Sequence, residues 1–422
     1  MLSRMDTRPP ADRRSTPYAA RVEFVVELAS HLHAYGTTAQ RLEGALVSVA
    51  SKLGLQCEPW SNPTGMILTF REYGQRPGVQ DITRVIRLSP GENDLSRLSE
   101  ADRIADAVLD GSMDLDAGFA ALRALDRPPT RRARALQVFA YMLSAGALAG
   151  LLRLPWLDIG VAAVNGLLLG LLVQLAERRP RTKEALEAIA ATVAAFVVLG
   201  VAALVAPLNQ NTVIIASLIV LLPGLALTNA VNELTSQHLV SGTARFAGAA
   251  TTVLKLAVGV VVAVYCMRLL GLEPQVRAWR PQPEWMEWVA LALSAFAFAL
   301  LFRAARRDVP VVMLAAAGGY LISRFAGEQW GHQAGIFLAA LVVTAAGNAF
   351  SRWVHRPGAI VRLPGIIMLV PGSTSLRGLL TLLQQQDMEA GQDALLTVLN
   401  ILAALIAGLL FGNLLVPTRR NL

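Results

Sequence analysis

The chain has 422 residues, of which 54% are hydrophobic and only 16% charged, with a mean hydropathy of +0.48. Soluble domains carry about a quarter charged residues, so the composition excludes an ordinary soluble protein and points to an integral membrane protein. The net charge of +8 raises a nucleic-acid partner, but the arginines cluster between hydrophobic runs, which suits a membrane protein and argues against nucleic acid.

In chain order, residues 1–20 (MLSRMDTRPPADRRSTPYAA) hold no apolar run, so no cleavable signal peptide is expected and the stretch reads as a disordered basic tail. Residues 21–134 read as a small cytoplasmic α+β domain. RVEFVVELASHLHAYG puts Val22, Val25, Ala29 and Leu32 at helical spacing and stops at Gly36. TTAQRLEGALVSVASKLG repeats the pattern with Leu42, Leu46, Val49 and Leu53. Thr37 and Gln40 predict a capping box there, and Gly54 a C-terminal stop. The period then shortens. LQCEPWSN, GMILTFREYG and QDITRVIRLSP predict three strands, parted by turn signals at Asn62-Pro63, Gly74 and Pro90-Gly91. Two helices follow, at about 95–110 and 114–126, closed by Pro128-Pro129.

Chemistry is sparse in this part. His31 and His33 are two apart and face different directions on a helix, a poor spacing for a shared metal. Arg41 and Glu43 are also two apart, and no nucleophile motif or phosphate loop appears. The chain is therefore not read as an enzyme, and no metal or cofactor is expected. A contact between His33 and Glu43 across the helix hairpin keeps a membrane-tethered hydrolase as an alternative. Cys57 and Cys266 make no disulfide framework and read as packing residues.

A membrane span needs roughly 20 apolar residues. Ten such runs are expected, at about 136–153, 155–176, 185–206, 212–231, 247–270, 286–302, 308–324, 332–350, 360–383 and 394–416. Pro364, Pro371 and Arg377 interrupt the ninth. With ten spans, the basic segments RPPTRRAR, ERRPRTK, Arg245, RAARRD, SRWVHR and TRRNL all fall on one side. The opposite loops are poorer in Lys and Arg, apart from LEPQVRAWRPQPEW with Arg277 and Arg280. The positive-inside rule then places the N-terminal domain and the C-terminus in the cytoplasm, and the chain as a multi-pass protein of the inner membrane.

Two spans carry the same interruption. LIVLLPGLALTNAV breaks at Pro223-Gly224 and IIMLVPGSTSLRG at Pro371-Gly372, a shift of 371 − 223 = 148. Ser241-Gly242 and Ala390-Gly391 correspond at a shift of 391 − 242 = 149. The halves are residues 135–270 and 271–422, with five spans each, and an odd number per half gives opposite orientations. The predicted fold is thus a mostly α polytopic membrane protein with ten transmembrane helices as two inverted five-helix repeats. Inverted repeats with interrupted helices are the signature of a secondary transporter with its substrate near the midplane.

The residues LLPGLALTNAVNELTSQHLVSGTARF resemble the Pro-Gly, Thr-Asn, Ser-Gly and Arg pattern of the threonine/serine exporter family. HLHAYGTTAQRLEGAL, Pro63-Thr64 and RLSPGENDLSRLSEADRIADAVLDGSMDLDAGFAAL resemble that family's N-terminal domain, and VPGSTSLRG its second half, over about residues 20 to 416. In some bacteria, related proteins carry the two parts as separate subunits; here they are fused. The resemblance implies ten spans and export of threonine, serine or similar small solutes, driven by the proton gradient. Some members are linked to dicarboxylates, so export of a solute such as succinate is the second reading. Members often carry Asp near the position of Glu233, so the carboxylate here is displaced or replaced.

A zwitterionic substrate needs donors for its carboxylate and acceptors for its ammonium. Thr228 and Asn229 beside the first break, and Ser373, Thr374 and Arg377 beside the second, are the candidate binding groups, with Ser375 as a further hydroxyl. Lys255 lies about eight residues into the fifth span, or about 12 Å along the axis, and is the candidate intramembrane charge. Glu233 is the candidate proton-coupling carboxylate. Pro223, Gly224, Pro371 and Gly372 shape the helix breaks. Asp158 reads as a solvated helix end, and Asn165, Asn348, Asn400 and Asn413 as links between helices. The partners expected are a small-molecule substrate, protons and the lipid bilayer, with a homo-oligomer left open.

Overall fold

The computed structural model describes residues 17–74, 81–177, 179–278, 281–385 and 388–417. Residues 1–16 of the tail expected over 1–20, Arg178, Arg280 and the basic end TRRNL lie outside the described residues. Tyr18–Ala34 (α1) begins inside the stretch expected as tail, because the Tyr18 hydroxyl donates to the Phe70 carbonyl at 3.0 Å and fastens the helix start to the sheet. Ala39–Lys52 (α2), Leu55–Asn62 (β1), Gly65–Glu72 (β2), Ile82–Arg87 (β3), Leu95–Asp110 (α3) and Leu115–Ala124 (α4) complete the soluble part. The strands form an antiparallel sheet in the order β1-β2-β3, and Asn62 pairs with Gly65 at the first hairpin.

The predicted apolar stripes of α1 and α2 turn inward: Val22, Val25, Ala29, Leu32, Leu42, Leu46, Val49 and Leu53 are all buried, with Phe24, Phe70 and Leu95 between them. Gly36 and Gly54 end their helices in the left-handed region, at φ 85° and 76°, where glycine avoids the Cβ penalty. The predicted capping box does not form. Thr38 is the N-cap of α2 and makes no side-chain cap bond, and the Thr37 hydroxyl is buried without a hydrogen-bond partner.

The apolar part comprises Arg131–Leu151 (α5), Trp156–Ala176 (α6), the short Pro180–Glu184 (α7), Leu186–Leu204 (α8), Gln210–Ser217 (α9), Gly224–Thr235 (α10), Leu239–Leu269 (α11), Trp285–Leu301 (α12), Val309–Trp330 (α13), His332–Val354 (α14), Ala359–Ile367 (α15), Gly372–Gln385 (α16) and Met388–Leu415 (α17). Among the described residues, eight helices are long and apolar enough to cross a membrane, the run from Ala359 to Leu383 counting as one. A ninth arises if the run bent by 58° between Gln210 and Thr235 is one span, and α12 is an apolar helix of 17 residues. The expected ten spans are therefore eight by length and hydropathy, the other two positions being a bent run and a short helix.

The two halves pack alike. In the first, α5 lies on α6, α8 on α11 and α10 on α11; in the second, α12 lies on α13, α14 on α17 and α16 on α17. One turn repeats bond for bond. Leu152, Arg153 and Leu154 donate their N–H groups to Leu148, Gly150 and Ala149, and Phe302, Arg303 and Ala304 donate to Phe298, Leu300 and Ala299. Both arginines are left-handed, at φ 55° and 51°, with a shift of 303 − 153 = 150. Gly150 near the end of α5 faces Ala290 near the start of α12, so these two helices run antiparallel.

The soluble part sits on one face. Arg303 reaches Asp94 at 3.4 Å and Glu92 at 3.6 Å, Leu95 donates its N–H to the Phe302 carbonyl at 2.9 Å, and Phe298, Phe302 and Ile360 join the soluble core. On the opposite face the connector between the halves is stitched down. Gln275 N–H donates to Ala202 at 3.1 Å, Leu208 and Arg277 each give an N–H to the other segment, and Arg153 and Gln282 exchange bonds of 2.6 and 2.9 Å.

Candidate functional site

Proline has no N–H and weakens an α-helix: Pro223-Gly224 and Pro371-Gly372 each lie between two half-helices, whereas Pro364, expected to interrupt the ninth span, sits inside α15. Before Pro223 the chain tightens into a 3₁₀ turn at Ile219–Leu221, and Leu222 is extended. The Pro223 carbonyl accepts from Leu227 N–H and the Pro371 carbonyl from Ser375 N–H, both at 2.9 Å and in matching register. The two breaks touch. A Cβ placed on Gly372 would lie 3.3 Å from Gly224 Cα, and one on Gly224 would run into the Val370 side chain. Only glycine permits this approach. The first turns of α10 and α16, with their unpaired N–H groups, therefore start from one point.

Of the predicted binding residues, Thr228 and Asn229 lie in the second turn of α10, and Ser373 and Thr374 in the first turn of α16. Thr228 is buried and the other three half-buried. The Thr228 hydroxyl donates to Gly224 O at 3.1 Å, and that of Ser375 to Pro371 O at 2.8 Å, so both bond to their own helix backbone. Arg377 is exposed on α16. Lys255 is not brought to the breaks. Its ammonium meets the Glu184 carbonyl at 2.8 Å and the Glu187 carboxylate at 3.4 Å, because α11 starts at Leu239 and passes the beginning of α8 at that level.

Glu233 is fully buried and heavily bonded. It accepts from Ser241 Oγ at 2.8 Å, Arg245 Nε at 3.1 Å and the backbone N–H of Ala39 at 3.0 Å. It thus caps α2 of the soluble domain. Glu43 accepts from Ser61 N–H and Oγ at 2.7 and 2.8 Å and meets His238 Nε2 at 3.1 Å, while His33 Nε2 faces the Ser89 carbonyl. The possible His33–Glu43 contact is replaced by these bonds. Burial pushes the His33 imidazole below its usual range, and the nearby Arg245 charge adds to that.

The sequence reading of Asp158 needs correction. Its carboxylate is fully buried and accepts from Asn209 Nδ2 at 2.6 Å, with Arg277 3.8 Å away. Asp308, 308 − 158 = 150 residues later, is also fully buried and pairs with Arg356. Each aspartate starts the second helix of its half and holds the loop after the third. The common pattern L-x-R-x-x-x-x-D, in LLRLPWLD and LFRAARRD, was the available signal. Asn165 donates to Ala194 O and Ser217 Oγ, and Asn348 to Asn413 Oδ1 and Val416 O, as expected of links between helices. Asn400 is exposed.

A cavity of about 380 Å³ opens on the face opposite the soluble domain, against Tyr320, Arg324, Glu328, His332 and Met368. Glu287, behind it, accepts from the Tyr320 hydroxyl at 2.8 Å and pairs with Arg324. Sequence reasoning missed this group because its members lie 33 and 37 residues apart along the chain, on different helices. In the soluble part, Glu27, His31 and Asp126 lie close enough to share an ion, but Glu27 also faces Arg123 at 3.6 Å and His31 Nδ1 the Tyr35 hydroxyl at 3.0 Å.

Residues 23–267 match the family model described as "Putative threonine/serine exporter", and residues 287–415 that described as "Threonine/Serine exporter, ThrE". Pheromone-regulated membrane protein 10 of Pichia sorbitophila is 25% identical over 385 residues, covering 87% of this chain and 38% of the relative. An uncharacterized protein of Schizosaccharomyces pombe is 24% identical over 372 residues, 85% of this chain and 48% of the relative. The chain thus spans less than half the length of these two fungal relatives. A protein of Mycobacterium tuberculosis named "Probable threonine/serine exporter" is 22% identical over 337 residues, 78% of this chain and 64% of the relative. No solved structure matches significantly.

Proposed function

The chain belongs to the threonine/serine exporter family, and from that premise we propose that it is a proton-coupled secondary exporter of threonine and serine, working by alternating access in the inner membrane. The family is one of membrane exporters and not of enzymes, so the tethered-hydrolase alternative is set aside. Counting the bent α9–α10 run and α12 as spans gives ten, five per half. The repeated Arg153 and Arg303 turns and the antiparallel α5 and α12 support two inverted repeats. The basic loops support a cytoplasmic soluble domain and C-terminus.

The observation that carries the reading is the contact between the two breaks, Gly224 against Gly372. Two half-helix N-termini starting from one point favour an anionic group there, such as a substrate carboxylate. Thr228, Asn229, Ser373 and Thr374, in the first two turns of α10 and α16, are the side chains we assign to it. Lys255, held by Glu184 and Glu187, is not part of the proposed set; Arg377, exposed and at the same offset from Gly372 as Asn229 from Gly224, remains a proposed binding group. Glu233 is the proposed proton-responsive carboxylate: protonation weakens its hold on Arg245 and on the α2 cap together.

The test is flux in proteoliposomes holding the full chain, with labelled threonine, serine and succinate, with and without a pH gradient. Threonine and serine flux that rises with the gradient is the expected result. Succinate flux alone moves the assignment to a dicarboxylate exporter, and no flux of any of the three defeats the reading.

A further inference from the structure

We propose that Glu287 and Arg324 form a subsite for a free α-amino acid zwitterion on the face opposite the soluble domain. The inference rests on the exporter reading and adds to it a second place where substrate is held. Glu287 is 8% exposed and bonds to Tyr320 and Arg324 behind the cavity of about 380 Å³. Arg324 also donates to Glu328 at 3.2 Å, and its side chain is 34% exposed. The pair is therefore reachable from the cavity at Arg324 and desolvated at Glu287, which lies behind it.

The first half of the chain is an internal control. At the shift of 150 set by the Arg153 and Arg303 turns, Glu287, Tyr320 and Arg324 correspond to Gln137, Gly170 and Gln174. There the same pair of helices packs closely, Gly170 against Val138, and Gln174 Nε2 donates to the Arg134 carbonyl at 2.6 Å. The crossing thus forms without an ion pair. Burying charge inside an apolar bundle is costly, and an apolar or neutral replacement is often as stable. Packing does not account for the Glu-Arg pair in the second half alone.

Ligand chemistry does. An α-amino acid carries an ammonium and a carboxylate on one carbon, opposite charges a few ångströms apart. Inserted between Glu287 and Arg324, it gives each residue a new partner of the same sign as the old one. The ammonium goes to Glu287 and the carboxylate to Arg324. A dicarboxylate satisfies only Arg324 and is repelled by Glu287. The volume falls in the range of small-molecule pockets. Met368 lines the cavity three residues before Pro371, so the subsite adjoins the second break.

The test uses the full chain with Glu287→Gln and Arg324→Gln together, which installs the glutamines that the first half already carries. Size-exclusion profile and melting temperature check the fold. Equilibrium binding of labelled threonine is measured in detergent, and flux in proteoliposomes. The expected result is a folded variant whose threonine Kd and KM rise at least about tenfold, or 1.4 kcal/mol. Wild-type affinity and flux in that variant overturn the proposal while leaving the exporter reading intact. A wild-type chain that moves no amino acid defeats both. An independent variant avoids the ion pair altogether: Ser323→Cys, with Cys57→Ala and Cys266→Ala. Threonine is expected to slow maleimide labelling of that thiol at the cavity wall, and no protection at saturating threonine counts against the subsite.

Discussion

The backbone N–H of Ala39 donates to the carboxylate of Glu233 at 3.0 Å, across 194 residues of sequence. The first turn of a soluble helix is thus capped by the membrane part, and the same carboxylate holds Arg245. Glu233→Ala leaves a half-buried arginine and an uncapped helix. Losing these charge-assisted bonds costs about 1.5–3 kcal/mol. A lower melting temperature and faster proteolysis between the soluble domain and α5 are expected, with partial recovery on adding Arg245→Met. An unchanged melting temperature would falsify this role.

Gly224 has no room for a side chain unless Val370 moves, and Gly372 has little. Gly224→Ala drives a methyl into Val370, and Gly372→Ala brings one within 3.1 Å of Leu222 Cβ. Overpacking costs about 1–3 kcal/mol. Each variant is expected to keep its fold but lose most flux, with Gly224→Ala the more severe. Full flux in both would remove the contact from the mechanism.

Asp308 and Asp158 occupy matching places with unequal partners. Asp308 pairs with Arg356, whereas Asp158 is held mainly by Asn209, with Arg277 3.8 Å away. Asp308→Ala is expected to cost about 3–5 kcal/mol. Asp158→Asn retains neutral hydrogen-bonding capacity and should cost about 1 kcal/mol. Thermal melts of the two variants give the ordering directly; a reversed order contradicts the assignment.

His33 predicts a pH dependence with a definite sign. Its folded pKa is depressed below the usual value of 6.5, so the unfolded chain binds more protons between the two values. Stability from neutral His33 is present above about pH 6.5 and is lost as pH falls through the folded pKa. Melts of the full chain between pH 5 and 8 should show this acid loss, and His33→Gln should flatten it. A slope of opposite sign in the wild type excludes the imidazole as its source.

Burial pushes the Cys57 thiol up to about 12, the neighbouring Glu58 charge adding to it. The thiolate is the nucleophile, so Cys57 should resist maleimide at neutral pH in the folded chain and react once denaturant is added. Rapid labelling of native Cys57 would show that its strand opens.

The soluble domain was largely legible because its cues are local. Leu42, Leu46, Val49 and Leu53 sit at helical spacing, and Asn62-Pro63 marks a turn between two strand-like runs. Thr37 and Gln40 misled because the cap comes from Glu233, and no local rule sees a donor–acceptor pair so far apart. The Pro-Gly breaks were visible as violations of helix chemistry, but their mutual contact is tertiary. Lys255 was judged from depth along a helix, whereas its partners are decided by the helix beside it. Asp158 looked like a solvated helix end because its neighbour Asn209 follows another entire span. The pattern L-x-R-x-x-x-x-D stands at 151–158 and 301–308, but LSRLSEAD at 95–102 matches it too, so on its own it does not mark the repeat.

The connector between the halves is pinned at both ends, by Gln275 and Arg277 to the loop around Leu208 and by Gln282 to Arg153. It behaves as a strut and not as a tether. In the proposed alternating-access cycle, these bonds would restrain separation of the halves on that face and leave pivoting there. In that cycle the far ends of the helices would sweep the wider arc, beneath the N-terminal domain to which Arg303 and Glu233 tie the two halves. Cutting those ties should change how far the halves swing without changing what they grip.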